Sequence, residues 1–171
     1  MDDLESARPP PDPVRALQII HAALAGGVLA MMVAVIVLYR ANGDAEAGAP
    51  PGSPSIAILS GVHALLALGV WAIAPLVARA LMRRAAHAAD DGGPALARKI
   101  ARVRGAVLVQ LALYESAAMF GLIVCMLASI ERVLASQPIF WWNGTSAILF
   151  LAYVAVTFPT QEKLLARLPD E

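Results

Sequence analysis

The stretch GAVLVQLALYESAAMFGLIVCMLA, residues 105–128, decides the fold of this chain. It holds a single charged side chain, Glu115, and no proline. At about 1.5 Å of rise per residue, a helix of this length crosses a hydrocarbon core about 30 Å thick. The stretch therefore predicts a transmembrane helix with one acid inside it.

Three further apolar runs have spanning length, at residues 17–39, 56–77 and 139–158. Hydrophobic residues make up 59% of the 171-residue chain and charged residues 15%, with a mean hydropathy of +0.68. These values lie outside the usual range of soluble domains. They predict an all-α, four-helix transmembrane bundle over residues 14–160, with short tails at 1–13 and 161–171.

Basic residues predict how the bundle is oriented. The helical pattern of runs two and three continues beyond the apolar segments, which predicts a protruding hairpin at residues 78–104. Eleven of the 13 Lys and Arg residues fall on the side of the tails and this hairpin. By the positive-inside rule, both termini and the hairpin of this multi-pass chain are expected in the cytoplasm.

The hairpin carries cations next to the membrane, for which two interpretations stay open. They can hold the topology and contact anionic lipid, or they can dock a partner protein. The basic residues of this surface are Arg83, Arg84, Arg98, Lys99, Arg102 and Arg104.

Glu115 is expected near the middle of the bilayer. It follows Arg104 by eleven residues, or roughly 16 Å of helix. An ionised carboxylate there costs about 2.5 to 3.5 kcal/mol on insertion scales. We therefore expect a neutral Glu115 that is hydrogen-bonded to Tyr153, which counting from the basic ends of the helices puts at a similar depth.

Glycines in the spans are candidates for close helix packing, because small residues let helix backbones approach each other. These helix-packing candidates are Gly26, Gly27, Gly61 and Gly69.

The acid has two interpretations. It can be a structural polar clamp between helices three and four, or a proton or sodium site formed by Glu115 and Tyr153. The clamp is favoured, because an ion path usually needs a chain of ionisable groups and only one acid is present in the spans.

Residues 112–124, ALYESAAMFGLIV, resemble the second helix of the rotor-ring c subunit of rotary ATP synthases. That family has an alanine-leucine-x-acid pattern, followed by small residues and an aromatic-glycine-leucine run. The resemblance implies an ion-carrying role for Glu115. The chain as a whole looks like the small four-helix inner-membrane proteins of GC-rich bacteria.

Enzymatic chemistry is not expected, since the sequence offers no nucleophile-base pair, metal constellation or phosphate loop. Cys125 is the only cysteine, and His21 and His63 lie at different depths, so we predict no metal and no cofactor.

The leading prediction is a non-enzymatic membrane subunit or assembly protein. Its partners are the lipid bilayer and other membrane chains or further copies of itself, without nucleic acid. Ion translocation through Glu115 is the first alternative, and lipid sensing through the basic hairpin is the second.

Overall fold

A computed structural model of the chain describes residues 13–43, 54–87 and 95–160, with the side chains of residues 14–42, 54–84 and 103–160. No strand is present within these ranges. The elements are α1 (Pro13–Gly43), α2 (Pro54–His87), α3 (Ala95–Ile130), α4 (Val133–Ser136), a 3₁₀ helix (Pro138–Gly144) and α5 (Thr145–Thr157).

α3 is the central helix of the bundle. The other three long helices, α1, α2 and α5, pack against it, while α1 and α2 make little contact with each other. Half of the apolar window of α3 is buried, against 11% for α1 and for α2. Most of the surface of α1 and α2 therefore faces outward.

The helices alternate in direction. Gln18 Nε2 near the start of α1 donates to Pro159 O just after α5, over 3.0 Å. At the other end of the bundle, Asn42 Nδ2 donates to Ser129 O of α3, over 3.2 Å. α1 and α3 thus run in the same direction, with α5 antiparallel to both. Residues at the centre of the core are Val28, Val35, Leu111, Leu122 and Phe150.

The fourth span is built from two pieces rather than the single helix predicted over 139–158. α3 ends at a turn in which Arg132 adopts a left-handed conformation, with φ 59° and ψ 10°. The one-turn α4 follows, and Pro138 then begins the 3₁₀ helix. A 3₁₀ helix rises about 2.0 Å per residue, so it adds length to the 13 residues of α5.

The prediction of an all-α bundle with four spans is confirmed. The candidate spans are Val14–Asn42, Pro54–Arg84, Val103–Ile130 and Pro138–Thr157. Their length and composition indicate a membrane protein. α2 and α3 also extend beyond the apolar runs, as expected for the hairpin arms. The hairpin tip (88–94), residues 1–12 and residues 161–171 lie outside the described ranges, and the sidedness stays a prediction.

Candidate functional site

A cluster of four polar side chains ties α2 to α5 and the 3₁₀ helix. We call Ser60, His63, Asn143 and Ser146 the polar cluster. His63 of α2 lies between Asn143 of the 3₁₀ helix and Ser146 of α5. Its Nδ1 is 3.0 Å from Asn143 Oδ1 and its Nε2 is 3.0 Å from Ser146 Oγ. His63 is 4% exposed and Asn143 is 3% exposed, so these bonds lie inside the protein.

The bonding pattern fixes where the hydrogens of the polar cluster lie. Asn143 Nδ2 donates to Ser60 Oγ and to Phe140 O, both at 2.9 Å, which uses both of its N–H groups. Its Oδ1 must therefore accept, and His63 Nδ1 must donate. In the neutral imidazole, Nε2 then accepts from the Ser146 hydroxyl. Each buried polar atom of His63 is thus satisfied, as burial in a membrane requires.

Gly121 of α3 makes room for this arrangement. A Cβ at Gly121 would overlap Asn143 O and would lie 2.6 Å from His63 Nε2. No side chain larger than hydrogen fits without movement of the 3₁₀ helix or α2. The close approach explains why a glycine stands at this point of α3.

Serine, histidine and asparagine joined in this order also form the chain of groups that activates a nucleophilic hydroxyl in some enzymes. Here the Ser146 hydroxyl lies 3.3 Å from Ala117 O on the central helix, and Ser146 is 4% exposed. The hydroxyl therefore faces the interior of the bundle. This geometry favours a structural role for the polar cluster.

Aromatic rings lie between α2, α3 and α5 further along the bundle. Trp71 stacks on Tyr114 with ring centroids 4.2 Å apart, and Tyr153 packs edge-on against Tyr114 at 4.8 Å. The buried Trp71 Nε1 has no hydrogen-bond partner among the described residues.

This packing corrects the expectation that Tyr153 is hydrogen-bonded to Glu115, because the structure shows no such bond. Tyr153 lies against Tyr114, the residue before Glu115. Successive residues of a helix point about 100° apart. Tyr153 therefore contacts the side of α3 that carries Tyr114, and Glu115 lies about 100° around the helix from that side.

Glu115 itself is half-buried near the middle of the α3 span. It forms no hydrogen bond or ion pair with any residue that the structure describes. Its neighbour Ser116 is exposed and donates only to Leu113 O of the same helix, over 2.7 Å. The acid stands at the edge of the outward-facing side of α3.

The glycines proposed for helix packing do not pack inside the chain. Gly26, Gly27 and Gly61 are exposed and Gly69 is half-buried. An added Cβ at any of them would meet nothing within 4 Å. Any packing role for these four positions must therefore involve another molecule.

Among the predicted basic residues, Arg83 and Arg84 are exposed and Arg104 is half-buried. The side chains of Arg98, Lys99 and Arg102 lie outside the described residues. Within the described residues, no group of three His, Cys, Asp or Glu side chains is placed to hold a metal ion.

Sequence reasoning did not find the polar cluster. From the sequence, His63 was considered as a metal ligand and was not connected to Asn143 or Ser146. A usable signal was present, since Asn143 and Ser146 are three residues apart at the start of the fourth span, and His63 lies near the same end of the second.

Comparisons of the chain with protein-family models, with curated proteins and with solved structures found no match. The resemblance of residues 112–124 to the rotor-ring helix therefore has no support from a family or a homologue.

Proposed function

We propose that the protein is a non-enzymatic membrane subunit or assembly protein that associates laterally with other membrane helices through the outer face of α1. The basic residue distribution supports an orientation with both termini in the cytoplasm. The resemblance of the chain to small four-helix bacterial proteins supports a bacterial inner membrane. The partner surface is either another membrane protein or a second copy of the chain.

One observation carries this proposal. Ala22, Gly26, Ala30 and Ala34 follow each other at four-residue spacing on α1, and each of them is exposed. We call these four residues the α1 small-residue face. Since they lie on the side of α1 away from α3, they contribute nothing to the packing of the bundle.

Such a face is suited to contact another helix. Lipid chains are as apolar as leucine, so helices in a membrane associate through close backbone packing, which small residues permit. A glycine inside a helix costs about 0.8 to 1.0 kcal/mol relative to alanine. Gly26 has no internal contact that offsets this cost, and an external helix supplies one.

Photocrosslinking in native membranes tests the proposal. A photoreactive amino acid at Ala30 is expected to give a discrete protein adduct, whereas the same amino acid at Ala155, an exposed alanine of α5, is not. The mass of the adduct separates a second copy from a different partner. Gly26→Leu in the same chain is expected to abolish the adduct, because the larger side chain holds the partner backbone away. Lipid adducts alone at Ala30 would refute lateral association through this face.

The second candidate function is proton or sodium translocation by Glu115. It is favoured by the absence of any hydrogen-bond partner for this carboxyl among the described residues, since an acid inside the membrane is a functional candidate by default. Glu115→Gln separates the two functions. The variant keeps a side chain of the same shape, so association through α1 persists, while ion movement in reconstituted vesicles is lost only if Glu115 carries the ion.

A further inference from the structure

A groove separates α2 from the 3₁₀ helix and α5. Its volume is about 880 Å³, within the range of about 300 to 1,000 Å³ that is usual for ligand sites. Its lining includes two small side chains of α2, Ala64 and Ala67, and Leu149 of α5. It begins at Ser60 and ends at Trp71.

The length of the groove matches one leaflet of a bilayer. Ser60 and Trp71 are eleven residues apart on α2, which corresponds to roughly 16 Å along the helix. Half of a hydrocarbon core is about 15 Å thick. Since Ser60 lies close to the membrane end of its span, the groove runs from the interface to about the middle of the membrane.

Hydrogen-bond donors without acceptors collect at the interfacial end. Ser60 Oγ already accepts from Asn143 Nδ2, so its own hydrogen must point elsewhere. Within the described part of the chain, neither this hydroxyl nor the Thr145 hydroxyl donates to a protein atom, although both line the groove. The Trp142 indole beside them is 73% exposed. The two hydroxyl donors, with the indole beside them, fit the ester and phosphate oxygens of a lipid.

The lining of the groove fits an acyl chain. Apart from the polar cluster and Thr145, it consists of alanine, leucine, isoleucine and aromatic side chains. A single acyl chain along these side chains leaves its oxygen atoms at the interface, where the donors are.

We propose that this groove is a binding site for one phospholipid. One acyl chain lies along Ala64, Ala67 and Leu149 and ends near Trp71. The ester and phosphate oxygens accept hydrogen bonds from Ser60 and Thr145, with the Trp142 indole beside the head group. This site is independent of the α1 small-residue face.

Native mass spectrometry of the purified chain in detergent with added phosphatidylglycerol tests this site. We expect one lipid retained per chain, with saturation. Ala67→Phe fills the groove and is expected to lower occupancy at least fivefold. Ala72→Phe is the matched control, because Ala72 is exposed on the same helix but does not line the groove. It is expected to leave occupancy unchanged.

A double variant, Ser60→Ala with Thr145→Val, removes the donors and leaves the groove open. We expect it to lose phosphatidylglycerol selectively while a detergent of similar chain length still binds. Thermal unfolding of each variant verifies that it is folded.

Three results would overturn the proposal. One is equal retention by the Ala67→Phe and Ala72→Phe variants, which would indicate an adventitious lipid only. Another is binding without saturation. The third is a change of oligomeric state in place of lipid loss on Ala67→Phe, which would show that a second copy occupies the groove.

Discussion

The two halves of the α3 span, Val103–Ile130, differ in their polar contacts. We call residues 103–116 the first half of α3 and residues 117–130 the second half. In the second half, Ala117 O and Gly121 contact the polar cluster, and Cys125 Sγ donates to Phe140 O over 3.6 Å. In the first half, Gln110 donates to Tyr114 of the same helix, and Glu115 bonds to no described residue.

The polar groups of the second half bond to other helices of the bundle, whereas the acid of the first half remains available to other molecules. The polar groups of the second half of α3 contact the residues that join α2, the 3₁₀ helix and α5. The first half keeps its one acid at an outward edge. We infer that hydrogen bonds between helices are concentrated in the second half. The first half packs through apolar and aromatic side chains such as Leu111 and Tyr114 and leaves Glu115 available to other molecules.

The largest difference between the two halves is expected when the same side chain is placed in each of them. Gly121→Ala forces a methyl group against His63 and Asn143, and overpacking of this kind typically costs about 1 to 3 kcal/mol. The matched control, Gly105→Ala in the first half, meets nothing within 4 Å. Because alanine has the higher helix propensity, we expect the control to gain up to about 1 kcal/mol. Unfolding in mixed micelles, followed by circular dichroism, measures both. Equal effects of the two variants would contradict the division of α3.

The polar cluster is tested by a coupling energy, which is expected to be smaller than the cost of the Gly121 variant. Asn143→Ala leaves His63 Nδ1–H without its acceptor, which costs about 1 to 3 kcal/mol for a buried donor. In a double-mutant cycle with His63→Ala, we expect a coupling energy of about 0.6 to 1.7 kcal/mol, the range found between membrane helices. A coupling energy of zero would show that the hydrogen bond does not hold α2 to the 3₁₀ helix.

The turn after α3 offers a gain in stability. Arg132 has a φ of 59°, and a left-handed conformation costs a residue other than glycine about 1 to 2 kcal/mol. Arg132→Gly is therefore expected to stabilise the folded chain by about 1 kcal/mol, less the entropy that glycine adds to the unfolded state. Loss of stability in the same micelle titration would mean that the arginine side chain makes a contact of its own.

The smallest expected effect is at Trp71, which stacks on Tyr114 of the first half. Trp71→Phe keeps a ring against Tyr114 and removes an indole N–H that has no described partner. The loss of packing and the relief of the unsatisfied donor oppose each other, so we expect a change within about 1 kcal/mol. A loss well beyond that would reveal an acceptor for the indole.

The spans could be predicted from the sequence because an apolar run of about 20 residues is typical of a transmembrane helix. The absence of charge over 17–39 and 56–77 is enough to identify each helix. The extension of α2 and α3 beyond the membrane also followed from alanine-rich, unbroken sequence. Each of these features is local along the chain.

Contacts between helices could not be predicted in the same way. Depth along a helix can be counted, but the direction of a side chain depends on how each helix is rotated. Glu115 and Tyr153 were expected to meet on grounds of depth, and rotation separates them. The rotation of each helix about its axis likewise turns Gly26 outward and brings His63 to Asn143. This rotation could not be predicted from the pattern of a single sequence.

Reaction with a lipophilic carbodiimide tests whether Glu115 lies at an outward edge of α3. Such reagents modify protonated carboxyl groups that are reachable from the apolar phase. Glu115 is the only acid inside the candidate spans. In the purified, folded chain, mass spectrometry of the α3 peptide is expected to show modification of Glu115 and none in the Glu115→Gln variant. An unmodified Glu115 in the folded chain would show that the acid is sealed inside the bundle, and that both halves of α3 serve the fold alone.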